Sequence, residues 1–308
     1  MKTIVKNGML CTESGVYEAD ILIENGVIRE IGTGLAEHES KLGLADAEIE
    51  IVDASGKYVL PGAVDIHTHM DLDVGIARVI DDFYTGTIAA ACGGTTSIVD
   101  HMAFGPKDCS LWHQVKEYHR LADGNAVVDY GFHGVFQHVN PQVLEEMGEI
   151  AKEEGITSFK VYMTYGYGLG DGELMQILTQ ARKDGILIAS HCENDGIVNY
   201  WRDKFVKEGH AQAKYHPISR PAEAEAEAVN RFLYLAESAG EAPVYVVHLS
   251  SKQGLMEVRR ARRRGQKHFG VETCPQYLFL TDDRYADDQE GGLSYDLFWK
   301  EYKHKLSF

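Results

Sequence analysis

The sequence predicts an α/β fold of the (β/α)8-barrel class, preceded by a small β-sandwich-like domain. From residue 64 onward, apolar strand segments alternate with stretches of helical periodicity, which is the pattern of successive βα units and a parallel sheet. Polar residues, many of them histidines, stand at the C-terminal ends of these strands, where the active sites of such barrels lie. A doubly wound open sheet is the competing architecture, but no GxGxxG turn follows the first strand.

Residues 1–60 are expected to form the small β domain. Short apolar segments separated by turn signals predict strands at Thr3–Val5, Ile21–Ile23, Val27–Ile31, Ile49–Val52 and Tyr58–Leu60. The dipeptides Asn7-Gly8 and Asn25-Gly26 predict hairpin turns between such strands.

Residues 61–295 are expected to form the barrel domain, which is followed by a divergent tail at residues 296–308. Its strands are predicted at Val64–His69, Thr95–His101, Val127–His133, Ser158–Tyr165, Ile186–His191, Val244–Leu249 and Phe269–Thr273. Its helices are predicted near Asp81–Cys92, Cys109–Ala122, Pro141–Glu154, Asp171–Lys183, Glu223–Ala239 and Lys252–Arg264.

The composition disfavours several classes of partner. A formal net charge of −17 repels nucleic acid and anionic membrane surfaces, so a small substrate is the better match. The five cysteines are widely separated and never form a CxxC pair, which predicts a reducing, cytoplasmic location rather than a disulfide framework. Neither a signal peptide nor an apolar run of 18 residues is evident in the sequence.

The strongest local motif is His67-Thr68-His69 at the end of an apolar segment. Residues i and i+2 of a strand point to the same face, so both imidazoles can bind one metal ion. Because 14 histidines in 308 residues make such a triplet common by chance, the position at a strand end carries the argument. A core or surface histidine pair is the alternative interpretation.

Lys160 lies inside an apolar strand segment, Ser158 to Met163, on the face opposite Phe159 and Val161. Burial lowers the pKa of a lysine, and the resulting neutral amine can react with carbon dioxide to form a carbamate that bridges two metals. An ion-paired structural lysine is the alternative.

Two further histidines end neighbouring strands, His191 and His248. Either alone would be read as a hydrogen-bonded core histidine, but together with the His67–His69 pair they predict a converging cluster. His101 and His133 occupy comparable strand ends and are expected to support the ligands or to be structural.

With these residues in place, the chain resembles the cyclic amidohydrolases of the dihydropyrimidinase and hydantoinase family, above all its D-phenylhydantoinase branch. The resemblance is carried by the segments Pro61–His69, Asp81–Thr87, Cys92–Thr96, Phe159–Tyr165, Val247–Ser250 and Glu272–Tyr277. It extends over nearly everything from residue 1 to about residue 295.

The resemblance implies hydrolysis of cyclic amide bonds in hydantoins or dihydropyrimidines by two divalent metal ions, most naturally Zn²⁺. It implies that His67 and His69 bind the more buried ion and that His191 and His248 bind the more exposed one. Lys160, carboxylated by carbon dioxide to N6-carboxylysine, would bridge both ions. Tyr165 would bind the substrate and hydrogen-bond the developing oxyanion. The resemblance also implies a homo-oligomer such as a homotetramer.

Allantoinases and dihydroorotases are the nearest enzymatic alternatives. Dihydroorotases usually carry an Arg two residues beyond the HxH triplet, where this chain has Asp71, and this difference favours neutral rings. Non-catalytic scaffold proteins of the same fold have lost metal ligands that this sequence retains.

The sequence departs from the family after Tyr295. The family's general acid–base Asp, which follows an eighth strand, has no match after His248, and residues 296–308 diverge from the family pattern. We therefore expect an incomplete barrel of about seven strands from a C-terminally truncated chain. A catalytically inactive fragment or metal-binding scaffold is the alternative function.

Overall fold

The computed structural model describes residues 2–36, 49–75, 77–210, 212, 214–281 and 285. The chain divides into two compact units, Met1–Ala63 and Val64–Phe308. The expected tail at 296–308 and the last part of the expected barrel domain lie outside the described residues. In the part of the chain that is described, no helix is both long and apolar enough to cross a membrane.

Among the described residues of the first unit, five strands form one sheet. The strands are β1 (Lys2–Thr12), β2 (Gly15–Glu24), β3 (Val27–Gly32), β4 (Ile49–Asp53) and β5 (Tyr58–Val59). Their order is β3-β2-β1-β4, and β5 also pairs with β1. The β1–β2 and β2–β3 pairs are antiparallel, whereas β4 and β5 run parallel to β1.

The two Asn-Gly dipeptides of this unit have different roles. Asn25-Gly26 forms the predicted turn between β2 and β3, with positive φ angles of 51° and 79°. The turn predicted at Asn7-Gly8 is wrong, because β1 continues through it with a register shift between Val5 and Gly8. Asn7 does adopt a positive φ of 61°, and the resulting irregularity bends the strand without reversing it.

In the part of the second unit that the structure describes, seven strands form a parallel sheet in sequential order. The strands are β6 (Ala63–Thr68), β7 (Thr95–His101), β8 (Asp129–Val135), β9 (Ser158–Tyr162), β10 (Leu187–His191), β11 (Val244–Val246) and β12 (Phe269–Val271). The helices are α1 (Phe83–Cys92), α2 (Leu111–Ala122), α3 (Pro141–Glu153), α4 (Asp171–Asp184), α5 (Asp195–Lys207), α6 (Tyr215–Ser219), α7 (Ala222–Ser238) and α8 (Lys252–Arg264). A 3₁₀ turn covers Pro275–Leu278. The seven-stranded βα architecture predicted from the sequence is confirmed.

Most helix bounds follow the predicted apolar periodicity, and their starts are fixed by capping side chains. Asp82 and Ser110 accept hydrogen bonds from the first turns of α1 and α2, so these helices begin two residues later than predicted. Helices α5 and α6 were not predicted.

Apolar side chains from the sheet and the helices form one main core. Phe159 of β9, Ile177 of α4 and Phe232 of α7 are all completely buried in it. The sheet is curled, because Glu272, which follows β12 at one edge, contacts His67 of β6 at the other. The C-terminal ends of the strands therefore face a common centre.

Several strands end earlier than predicted, which places chemically important residues on the loops directly after them. Tyr165 lies three residues beyond β9 and His248 two residues beyond β11. Both adopt positive φ angles, 72° and 37°, which non-glycine residues rarely do outside functional or strained sites.

Candidate metal centre

The predicted histidines come together at the C-terminal end of the sheet. The ring centroids of His67 and His69 are 5.3 Å apart, and those of His67 and His248 are 5.4 Å apart. His191 and His248 are 4.7 Å apart. The four imidazoles thus form one continuous cluster, although their strands are distant in sequence.

His191 and His248 present ring nitrogens to a common point. Nδ1 of His191 and Nε2 of His248 face each other at 2.9 Å. The other nitrogen of His191, Nε2, lies 2.6 Å from a carboxylate oxygen of Glu193. Metal-binding histidines are commonly oriented by such a carboxylate, so this pair fits a metal ion well.

Glu272 has the corresponding role for His67. Its Oε1 accepts a hydrogen bond from Nδ1 of His67 and another from the backbone N–H of His248, at 3.2 Å. This leaves Nε2 of His67 for a ligand. One carboxylate therefore connects the two edges of the curled sheet and the two histidine pairs.

Lys160 lies in β9 beside this cluster and is 1% exposed. Burial lowers the pKa of its ammonium from 10.5 to about 7. Its Nζ lies 5.4 Å from the centre of the Tyr162 ring. A substantial fraction of Lys160 is therefore a neutral amine near pH 7, which is the form that reacts with carbon dioxide.

The imidazoles of His69, His191 and His248 are held in the neutral form. Burial, assisted by the charges of His67 and Lys160, lowers the pKa of His69 from 6.5 to about 3. Burial also lowers the pKa values of His191 and His248. The buried Nδ1 of His69 has no hydrogen-bond partner among the described residues. Neutral imidazoles with an unused nitrogen are the form that binds divalent metals.

Tyr165 borders the same site. The centroid of its ring lies 5.0 Å from that of His191, and the guanidinium of Arg220 lies 5.0 Å from the ring centroid of Tyr165. Arg220 also forms an ion pair with Glu193. Arg220 and Glu193 therefore connect a candidate metal ligand to the tyrosine expected to contact the substrate.

The polar groups that orient the ligands were not predicted from the sequence. Glu193 stands two residues after His191, and this HxE spacing was a usable signal. Arg220 gave no local signal, because its contact is made across the fold. Asp100 was also missed, although its Oδ2 accepts hydrogen bonds from the Thr68 hydroxyl at 2.6 Å and the Met70 N–H at 2.8 Å, on either side of His69.

His101 and His133 differ in their surroundings. Donor nitrogens of His67, His69 and His101 all lie within 4.8 Å of one another. In His133, Nδ1 is 2.5 Å from the Ser158 hydroxyl and Nε2 is 2.9 Å from the Ile66 carbonyl. Both nitrogens of His133 are therefore used in hydrogen bonds.

Comparison with known proteins agrees with this geometry. Residues 58–274 match the model of the Amidohydrolase family. A D-phenylhydantoinase of Escherichia coli O1:K1 is 47% identical over 291 residues, which are 94% of this chain and 61% of that protein. The chain thus spans about three fifths of the length of the curated relatives that it matches.

Solved structures give the same result. A D-hydantoinase structure superposes with a TM-score of 0.87 at 39% identity, covering 95% of this chain and 61% of that one. A dihydropyrimidinase from Brevibacillus agri superposes with a TM-score of 0.85, also at 39% identity, covering 94% of this chain and 60% of that one. Together with the partly buried histidine cluster, these similarities show that the chain belongs to the amidohydrolase family, among relatives that are hydantoinases and dihydropyrimidinases.

Proposed function

We propose that this protein opens cyclic amides of the hydantoin and dihydropyrimidine type at a centre of two divalent metal ions, most naturally Zn²⁺. The observation that carries the proposal is the convergence of four histidines and a buried lysine in a chain similar to hydantoinases. His67 and His69 are proposed to hold one ion, and His191 and His248 the other. Lys160, as a carbamate, is proposed to bridge them.

The pair of metal ions would supply Lewis acidity and an activated water at neutral pH. The chain's own part in forming the bridge is to keep Lys160 unprotonated: burial lowers its pKa to about 7. The neutral amine adds to carbon dioxide and releases one proton, which leaves two carboxylate oxygens as ligands. Glu193 and Glu272 then hold His191 and His67 in fixed orientations.

Tyr165 is proposed to donate a hydrogen bond to the ring carbonyl oxygen as negative charge develops on it. Its place beside His191 and the unusual backbone conformation at this residue support the role. The cation of Arg220 over its ring keeps the phenol side chain in position.

Neutral rings are the proposed substrates in preference to dihydroorotate. Asp71, two residues beyond the HxH triplet, accepts hydrogen bonds from Arg78 at 2.5 Å and from the Phe83 N–H at 3.2 Å. This position therefore provides a structural carboxylate, whereas a substrate carboxylate would need a cation there. The net charge of −17 disfavours an anionic substrate further. Allantoin, also neutral, is the remaining alternative.

A second candidate, a metal-binding scaffold with little turnover, is favoured by one observation. The carboxylates of Glu193 and Glu272 both hold imidazole nitrogens, so neither is available to carry a proton to the leaving nitrogen. General acid–base catalysis contributes about 10²- to 10⁴-fold to such reactions.

The proposal also includes a cellular location and an oligomeric state. We propose a cytoplasmic protein, which is supported by five cysteines that are all free thiols. A homo-oligomer, such as a tetramer, is proposed from the family resemblance alone.

The test is ring opening by the full 308-residue chain, reconstituted with Zn²⁺ and bicarbonate. The substrates are 5-phenylhydantoin, dihydrouracil, allantoin and dihydroorotate. We expect the first two to be opened, and Tyr165→Phe to lower kcat by about 10²-fold while the metal content is unchanged. Two bound ions without turnover of any ring would favour the scaffold. Preferential opening of dihydroorotate or allantoin would contradict the proposed substrate class.

A further inference from the structure

We propose that His101 is a third nitrogen ligand of the ion held by His67 and His69, so that this ion has a three-histidine site. The inference deepens the proposed function, because it rests on the metal centre proposed there. It assigns a direct role to a residue that the sequence suggested only as a supporting or structural histidine.

The arrangement of the rings carries the first step. Tetrahedral Zn²⁺ with Zn–N distances near 2.0–2.1 Å places the centroids of its imidazole ligands about 5 Å apart. The three centroid separations are 5.3 Å for His67–His69, 4.4 Å for His67–His101 and 4.9 Å for His69–His101. All three rings are thus at the spacing that a shared ion requires.

The donor nitrogens of the three histidines would have to move only slightly closer together to bind one ion. They lie within 4.8 Å of one another, whereas nitrogens bound to one tetrahedral Zn²⁺ are about 3.3 Å apart. A decrease of roughly 1.5 Å is within reach of small rotations of the three side chains. No movement of the strands is needed.

The hydrogen bonds of the rings carry the second step. A metal-binding histidine typically uses its second nitrogen to contact a carboxylate or a backbone carbonyl. Nδ1 of His67 contacts Glu272, and Nδ1 of His101 lies 3.3 Å from the Thr68 carbonyl oxygen. In both rings this orientation leaves Nε2 for the ion.

His133 provides an internal contrast. It is as close to His101 as the other rings are, at 4.6 Å between centroids. Its two nitrogens, however, contact the Ser158 hydroxyl and the Ile66 carbonyl, so it has no nitrogen left for a metal. Proximity to the cluster alone therefore does not make a ligand.

A three-histidine site does not depend on the lysine carbamate. Three neutral nitrogens hold a divalent ion without any anionic ligand. We therefore expect a Lys160→Ala variant to keep the ion at His67, His69 and His101 and to lose the one at His191 and His248.

The experiment compares His101→Asn with His133→Asn in the full chain, with Zn²⁺ affinity measured against a competing chelator. Losing a partner that only orients a ligand weakens binding about 10- to 100-fold, so losing a direct ligand should exceed 100-fold for one of the two ions. We expect that loss for His101→Asn and a change below about tenfold for His133→Asn. A loss below 100-fold in a folded His101→Asn protein, or an equal loss in both variants, would overturn the inference.

X-ray absorption on the Lys160→Ala protein keeps the proposal testable should His101→Asn fail to fold. With one equivalent of Zn²⁺ bound, we expect three imidazole ligands around the ion. Two imidazole ligands would overturn the inference. Neither measurement uses turnover, so failure to hydrolyse hydantoins would contradict the proposed function and leave this result unaffected.

Discussion

Replacing Lys160 with methionine is expected to stabilise the metal-free protein while removing the bridge between the two metal sites. Methionine has a similar length and no charge, so it fits the buried position without the cost of desolvating an ammonium. The lysine is 1% exposed, so solvent does not screen this cost.

The magnitude follows from the two pKa values of the lysine. The pKa is 10.5 in the unfolded chain and about 7 in the folded protein. At pH 7 the lysine therefore lowers the free energy of unfolding by roughly 4 kcal/mol relative to an uncharged side chain at this position, since a tenfold change in an equilibrium is 1.36 kcal/mol.

The sign of the pH dependence follows from proton binding. Between pH 7 and 10.5 the unfolded chain binds more protons at Lys160 than the folded protein does, so wild-type stability rises with pH in this window. The advantage of Lys160→Met should fall by about 2 kcal/mol between pH 7 and 8.5. Groups common to both proteins cancel in the difference.

The assay is urea unfolding of both proteins at pH 7 and 8.5 in the presence of a chelator. We expect Lys160→Met to be more stable by several kcal/mol at pH 7 and by less at pH 8.5. With Zn²⁺ and bicarbonate, wild type should gain stability relative to Lys160→Met, because ligand binding stabilises the folded state. Equal stability of the two chelated proteins, or a difference that does not change with pH, would refute the reasoning.

Two further predictions concern residues that orient the ligands. Arg220→Met removes the ion pair with Glu193, so it should raise KM and weaken one Zn²⁺ site about tenfold. The control Arg231→Met breaks the ion pairs with Asp171 and Glu227 and should leave both quantities unchanged. Equal losses of Zn²⁺ affinity in isothermal titration would argue against a positioning role for Arg220. Burial raises the pKa of Asp100 to about 7, so between pH 3.8 and 7 the folded protein binds more protons at Asp100 than the unfolded chain does. The stability of wild type relative to Asp100→Asn should therefore fall as the pH rises through that window. Denaturant unfolding of the chelated proteins at pH 5 and 7 checks this, and a pH-independent difference would contradict it.

The order of the strands and helices in the second unit could be predicted because each element has its own local sequence pattern. Each βα unit carries its own apolar strand and amphipathic helix, and helix α8, Lys252–Arg264, has the predicted bounds. Helix α5 was missed although Ile197, Trp201 and Phe205 recur in it at helical spacing. Helix α6 spans only five residues, too few to show a period.

The ligand histidines could be predicted for a different reason. In a parallel sheet, residues at the ends of consecutive strands are brought to one edge, so strand position alone places His67, His191 and His248 together. The groups that orient them could not be predicted in the same way. Arg220 reaches Glu193 and Tyr165 across loops, and the position of Glu272 against His67 depends on how strongly the sheet curls.

The proposed two-metal centre is tested most directly by anomalous diffraction at the zinc edge, from crystals of the full chain grown with Zn²⁺ and bicarbonate. We expect two peaks, one beside His67 and His69 and one beside His191 and His248, with continuous density for a carboxylated Lys160 between them. A single peak remote from Lys160, or no peak at either histidine pair, would contradict it.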